Sequence, residues 1–282
     1  MQTEPILDAT PPGLGQLLGG LVLMCASLSV APLAVVVARK LFPGRNIFFA
    51  RWGFSHIGFA ALAFLVLTTV VALVAKAAHA DEQLAGLPGV LVSAAMFACV
   101  GALVVVFARR LDPDGWRCLG LRPSGNLRAM LAGVIAYAAA FPGLIGAGMA
   151  WPWVLDLVHV EHAPQDVGEL ALQLHGGELV VFACFAVLVQ PLLEELLFRA
   201  FLQPLLVQNL GDRGGVAVTS VVFAALHGVS AFFPVCLLAI VLGSVMLRTQ
   251  RLSAVWLVHA MHNGLMLAAL LLAPGARDLL GQ

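Results

Sequence analysis

Eight apolar runs, at about 13–38, 57–78, 87–108, 129–151, 178–208, 214–229, 232–247 and 253–273, occupy most of this 282-residue chain. A helix needs roughly 20 apolar residues to cross about 30 Å of hydrocarbon. In lipid, an open chain satisfies its backbone N–H and C=O groups by being helical. The expected fold is therefore all-α, a polytopic integral membrane bundle of about eight transmembrane helices. Composition agrees: 61% of residues are apolar, 11% are charged, and the mean hydropathy is +0.98. Residues 1–282 read as a single integral membrane domain, with four N-terminal spans over 13–151 and a second half, 178–273, that carries the polar motifs. The sixth and seventh runs are short and meet at HGVSAFFP. They read as two tilted helices or one broken re-entrant unit, with Gly228 and Pro234 marking the break.

Orientation follows from the basic residues. Arg39, Lys40, Arg45 and Arg51 lie between the first two runs, and Arg109, Arg110, Arg117, Arg122 and Arg128 between the third and fourth. Arg213, Arg248 and Arg251 fall in later loops of the same parity, while Lys76 and Arg277 fall on the other side. The positive-inside rule makes the first set cytoplasmic and leaves both termini of a multi-pass cell-membrane protein outside. The acidic start, MQTEPILDATPP, lacks the basic region and cleavage site of a signal peptide, so the first run is expected to stay as a helix. A net charge of zero and a pI near 7.1 give no footprint for nucleic acid. Five cysteines without CxxC spacing suggest neither a disulfide framework nor a zinc knuckle.

The connector after the fourth run holds Asp156, Glu161, Asp166, Glu169 and Glu178 among His159, His162 and His175. A short amphipathic interfacial helix is expected near 165–175, and scattered histidines in an acidic loop are a weak case for a metal site.

The stretch QPLLEELLFR, residues 190–199, places Glu194, Glu195 and Arg199 inside an apolar run. A charged side chain at the bilayer centre costs about 2.5–3.5 kcal/mol even on the lenient insertion scale, so these groups need partners. Glu195 and Arg199 are spaced i,i+4 with the acid first, the favourable orientation, and can neutralise each other. Glu194 points about 100° away, on a face shared with Gln190 and Phe198. Pro191 removes a backbone hydrogen bond beside it and should kink the helix. Two later runs supply further polar groups at one-turn spacing: Phe223 and His227 in FAALH, and His259 and Asn263 in HAMHN, with His262 between them. Polar groups on separate spans turn inward and meet.

Water activation beside a carbonyl is the chemistry such a set supports. A carboxylate in apolar surroundings can work as a general base, with a histidine orienting the water. A second histidine and a carboxamide can donate to an oxyanion. No serine sits in a GxSxG frame, so no nucleophile elbow is indicated.

EELLFR, FAALH and HAMHN resemble, in order, the motifs EExxxR, FxxxH and HxxxN of the CPBP family of intramembrane glutamic endopeptidases. That family includes the type II CAAX prenyl endopeptidases, bacteriocin-processing and immunity proteins, and the myxosortase-like bacterial branch. The likeness spans about 70 residues, 194–263. It implies a peptidase in which Glu194 with His227 activates water and His259 and Asn263 form the oxyanion hole. By the same resemblance Glu195 and Arg199 hold the helix geometry. Phe223 is expected to pack against the site, and no cofactor or metal is expected. The implied partner is a membrane-associated or lipid-anchored peptide or protein within the bilayer, not a nucleic acid. Three readings compete: a proton-coupled transporter, a non-catalytic peptide-binding or immunity-type protein, and a metal-dependent membrane protease. The first would spread ionisable groups over both halves, whereas the first four runs hold almost none within their cores. The second would be expected to lose some of the motif positions, and all are kept. The third lacks an HExxH helix and would place a cation next to Arg199.

Overall fold

The computed structural model describes residues 13–41, 50–79, 86–161 and 166–272, apart from the side chains of Arg39, Asp166 and Val167. The chain termini, Arg45, His162 and Arg277 lie outside the described residues. Within them the protein is all-α: α1 (Leu14–Leu41), α2 (Phe54–Ala77), α3 (Leu87–Leu111), α4 (Asn126–Leu157), a short α5 (Asp166–Gln173), a long helical stretch Gly176–Ala225, then Phe232–Thr249 and Leu252–Leu272. Seven of these helices are long and apolar enough to cross a membrane. The short α5 is the helix expected near 165–175.

The 50-residue stretch Gly176–Ala225 would reach about 75 Å if straight, more than twice the hydrocarbon thickness. It breaks at Gly211, whose φ of 71° and ψ of 173° are not helical. The break divides it into α6 (176–210) and α7 (212–225), so the seven long helices make eight rods, with Phe232–Thr249 as α8 and Leu252–Leu272 as α9. Gly215 lets the hairpin close. A Cβ there would stand 2.5 Å from Val207 N and 2.6 Å from its Cα.

This hairpin sets the register of the motifs. Val207 and Gly215 each lie four residues from Gly211, Arg199 and Phe223 each lie twelve, and Glu194 and His227 lie 17 before and 16 after it. With a rise of about 1.5 Å per residue on both arms, Glu194 and His227 come level. A sixth span drawn as an independent crossing would leave His227 near its outer end. Folded back on α6, it delivers His227 to the depth of the acids.

The sixth and seventh runs are two separate helices. Gly228 (φ 79°, ψ 169°) ends the first, and a 3-10 turn, Val229–Ala231, leads into α8. Pro234 is not part of the break as expected. It lies in the first turn of α8, where its missing N–H is one the helix leaves unpaired anyway.

Helix α4 is the hub. Its Gly146 and Gly143 meet Gly20 and Ser27 of α1, where Ser27 Oγ accepts from Gly143 N at 2.7 Å and donates to Ala139 O at 2.8 Å. On another face a Cβ on Gly133 would stand 2.9 Å from Val258 of α9. Three contacts join the loops at one end of the bundle: Trp52 Nε1 donates to Phe201 O (2.9 Å), Leu252 N to Gly120 O (3.2 Å) and Arg251 Nε to Ser124 O (3.1 Å). These are the loops rich in arginine.

Replacing Gly215 with Ala should force α6 and α7 apart and lower stability in detergent by about 1–3 kcal/mol, the usual cost of overpacking. Gly148→Ala is the control, because a Cβ there meets nothing within 4 Å. Thermal unfolding of the two variants beside the parent checks the difference.

Candidate functional site

Two prolines shape the helix that carries the acids. A proline ring clashes with the carbonyl four residues earlier and supplies no N–H. Just before Pro191 and Pro204, α6 widens into π-helical segments, Phe185–Val189 and Leu196–Leu202. Gln190 N donates to Phe185 O and Gln203 N to Phe198 O, each reaching five residues back. Such widenings relieve the clash and leave carbonyls without helical donors. Side chains of α9 donate to two carbonyls of the first π segment: Asn263 Nδ2 to Ala186 O at 2.9 Å and Trp256 Nε1 to Leu188 O at 2.8 Å. The kink expected at Pro191 is thus realised as two π turns that bracket Glu194 and Glu195 and dock α6 on α9.

Both acids are buried, Glu194 at 8% exposure and Glu195 at 0%. Gln190 Nε2 donates to Glu194 Oε1 at 2.6 Å, on the shared face the sequence indicates. Arg199 Nε lies 3.3 Å from Glu195 Oε2, and the guanidinium sits 4.1 Å over the Phe223 ring. His259 joins the two acids. Its Nδ1 lies 2.8 Å from Glu195 Oε1, and its Nε2 faces Glu194 Oε2 at 3.7 Å. The sequence reading missed this bridge, since it treats Glu195 as a partner of Arg199 alone. Nothing in the spacing of separate helices shows which acid a histidine will reach.

Two carboxylates, one guanidinium and one imidazole sum to zero when His259 carries a proton and to one negative charge when it does not. An ionised Glu195 can only accept, so Nδ1 is the donor and Nε2 is the nitrogen presented to Glu194.

His227 enters through ring contacts. Its ring lies 4.5 Å from that of Phe223, which lies 5.9 Å from His259 and 5.0 Å, edge-on, from Phe198. His227 Nδ1 is 2.8 Å from Phe223 O. A carbonyl only accepts, so Nδ1 carries the hydrogen and Nε2 of the neutral ring is an acceptor. Phe223, at 1% exposure, is the hydrophobic floor between Arg199, His227 and His259. His262 turns away to Tyr137, whose hydroxyl is 3.2 Å from its Nδ1.

On the far side of Arg199 the Oε1 atoms of Gln203 and Gln250 border the same cavity of about 20 Å³ as the guanidinium, room for one water. Gln203 Nε2 is held by Gly243 O at 2.9 Å. The five cysteines are free, and Cys118, in the loop after α3, is no nucleophile. Burial, with Asp112 and Asp114 nearby, pushes its thiol up to about 12. His159 and His175 are exposed, and among the described residues no three His, Cys, Asp or Glu side chains are grouped to hold a metal ion.

Removing one partner of a buried pair strands the other charge at a cost of about 3–5 kcal/mol. Arg199→Met should destabilise the protein on that scale, and adding Glu195→Gln should recover part of the loss. A double-mutant cycle by unfolding in detergent checks the coupling.

Neither the curated proteins nor the solved structures give a match to this chain. A family model described as type II CAAX prenyl endopeptidase Rce1-like matches residues 176–265. The match runs from the start of α6 into α9 and contains all three motifs, both π turns and the α6–α7 hairpin. The segment that builds this site is thus similar, over residues 176–265, to the Rce1-like type II CAAX prenyl endopeptidases.

Proposed function

We propose that this protein is an intramembrane endopeptidase of the glutamic type, hydrolysing a peptide bond of a membrane-associated substrate. The observation that carries the reading is the bridge of His259 between two buried carboxylates on the segment that matches the CAAX endopeptidase family.

Glu194 is the base. Gln190 engages its Oε1 and leaves Oε2 free to take a proton from water. The hydroxide so formed attacks the scissile carbonyl carbon, and the carbonyl π electrons move onto oxygen. His227 Nε2 accepts the water's second hydrogen and orients the lone pair that attacks. With both ring nitrogens protonated, His259 is held by Glu195 through Nδ1 and donates from Nε2 to the oxyanion, and the second amide hydrogen of Asn263 is the other donor. Collapse of the tetrahedral species expels the amine, which leaves with the proton taken up by Glu194. Glu195 and Arg199 fix the position and orientation of the His259 ring, much as a carboxylate orients histidine in other hydrolytic sites. Placing the base in the membrane restricts the substrate to chains that enter or lie on the bilayer. The basic end of the bundle is cytoplasmic by the positive-inside rule, in a cell membrane with both termini on the other side.

A non-catalytic binder would not need the Gln190–Glu194–His259 alignment, so loss of the base separates the two readings. Terminal peptides of membrane and secreted fractions are profiled from cells making the parent or Glu194→Gln at matched abundance. Specific new termini are expected with the parent, reduced at least about 10²-fold in the variant, the lower range for a general base. Identical profiles would sink the protease reading.

A further inference from the structure

A large cavity lies away from the carboxylates. It holds about 510 Å³ between α1, α4 and α8, and none of the motif residues lines it. Its shape follows from where small residues fall. Around Gly20, Ser27, Gly143 and Gly146, α1 and α4 pack backbone against backbone. Toward the other end Ala34 and Ala38 of α1 face the groove opposite Ala132 and Ala136 of α4, and methyl groups cannot fill the space, so Val241 of α8 becomes its floor.

The groove begins at Met24 and ends by Ala38, Thr249 and Arg248. From Met24 to Ala38 α1 rises about 21 Å, enough to run from one membrane surface to just past the midplane of a core about 30 Å thick. Most of the groove's lining is apolar, and its Arg248 end holds a cation: Arg248 Nε is buried without a hydrogen-bonding partner among the described residues, and no acid lines the groove. The same end carries the arginine-rich loops.

Size selects the occupant. A helix 10–12 Å across would need about 2,000 Å³ over this length, whereas an alkyl chain about 4–5 Å across needs roughly 300–400 Å³. A planar guanidinium at the mouth suits a phosphate, which it can grip with two parallel hydrogen bonds.

We propose that the α1–α4–α8 groove is a binding site for one anionic phospholipid of the adjoining leaflet, its acyl chain along the alanines and its phosphate on Arg248. The site clamps α1, which otherwise holds to the bundle through its glycine contact with α4, and makes that helix's seating depend on the lipid around it.

The full chain, purified in detergent, is titrated with phosphatidylglycerol or phosphatidylcholine and bound lipid is counted by native mass spectrometry. One phosphatidylglycerol should be retained about fivefold more tightly than phosphatidylcholine, the ratio expected from one cation facing one extra headgroup charge. Arg248→Gln should erase the preference while Lys40→Gln keeps it, and Ala136→Phe should weaken both lipids. Equal retention of the two lipids by the parent, or an unchanged preference in Arg248→Gln, overturns the proposal. So does a dimer of the parent that Ala136→Phe dissociates, since the groove would then be seating a second copy. Each readout is a binding mass, so the result stands apart from whether the chain cleaves peptides.

Discussion

His259 between Glu194 and Glu195 is the contact on which the rest of the structure turns. In the interior of a membrane bundle bulk water does not solvate two carboxylates, so each must find a donor or a counter-charge in the protein. Arg199 serves Glu195 from the same helix, one turn on. The second acid is served from elsewhere: by Gln190 one turn earlier and by a histidine that α9 must bring within reach. Because side chains are short, this requirement fixes the distance and rotation of α9 against α6 far more tightly than apolar packing would.

The helical architecture exists to meet that demand. Prolines at 191 and 204 follow two π turns of α6, and Asn263 and Trp256 hold carbonyls of the first of them. Gly211 folds α7 back so that Phe223 slides over Arg199 and His227 comes level with Glu194. The site is thus assembled from one hairpin and one docked helix, all within the segment that matches the CAAX endopeptidase family. The N-terminal helices add the hub α4 and a lipid-facing wall.

Much of this was legible in the residues. Apolar runs show the helices because lipid leaves a chain few other options, and Glu194, Glu195, Arg199, His227, His259 and Asn263 stand out because charge and amide groups are so costly there. Spacing alone also finds the Glu195–Arg199 pair and the face shared by Gln190 and Glu194, both of which depend only on helical geometry. What spacing does not give is contact between helices. The bridge from His259 to both acids, and the donation of Asn263 to Ala186 rather than to another side chain, depend on rotation and depth that no single run encodes. Gly211 is an instructive intermediate case. The equal counts on either side of it are present in the sequence, yet they acquire meaning only once Gly215 is known to let the two arms touch.

We propose that Glu194, one of this buried pair of acids, activates water for peptide hydrolysis. The most direct test is single-turnover cleavage by the purified protein, reconstituted in nanodiscs with a membrane-protein extract in ¹⁸O-labelled water. The account predicts new carboxyl termini that carry ¹⁸O with the parent protein and none above background with Glu194→Gln. Labelled termini at the same sites and rates from the variant would contradict it.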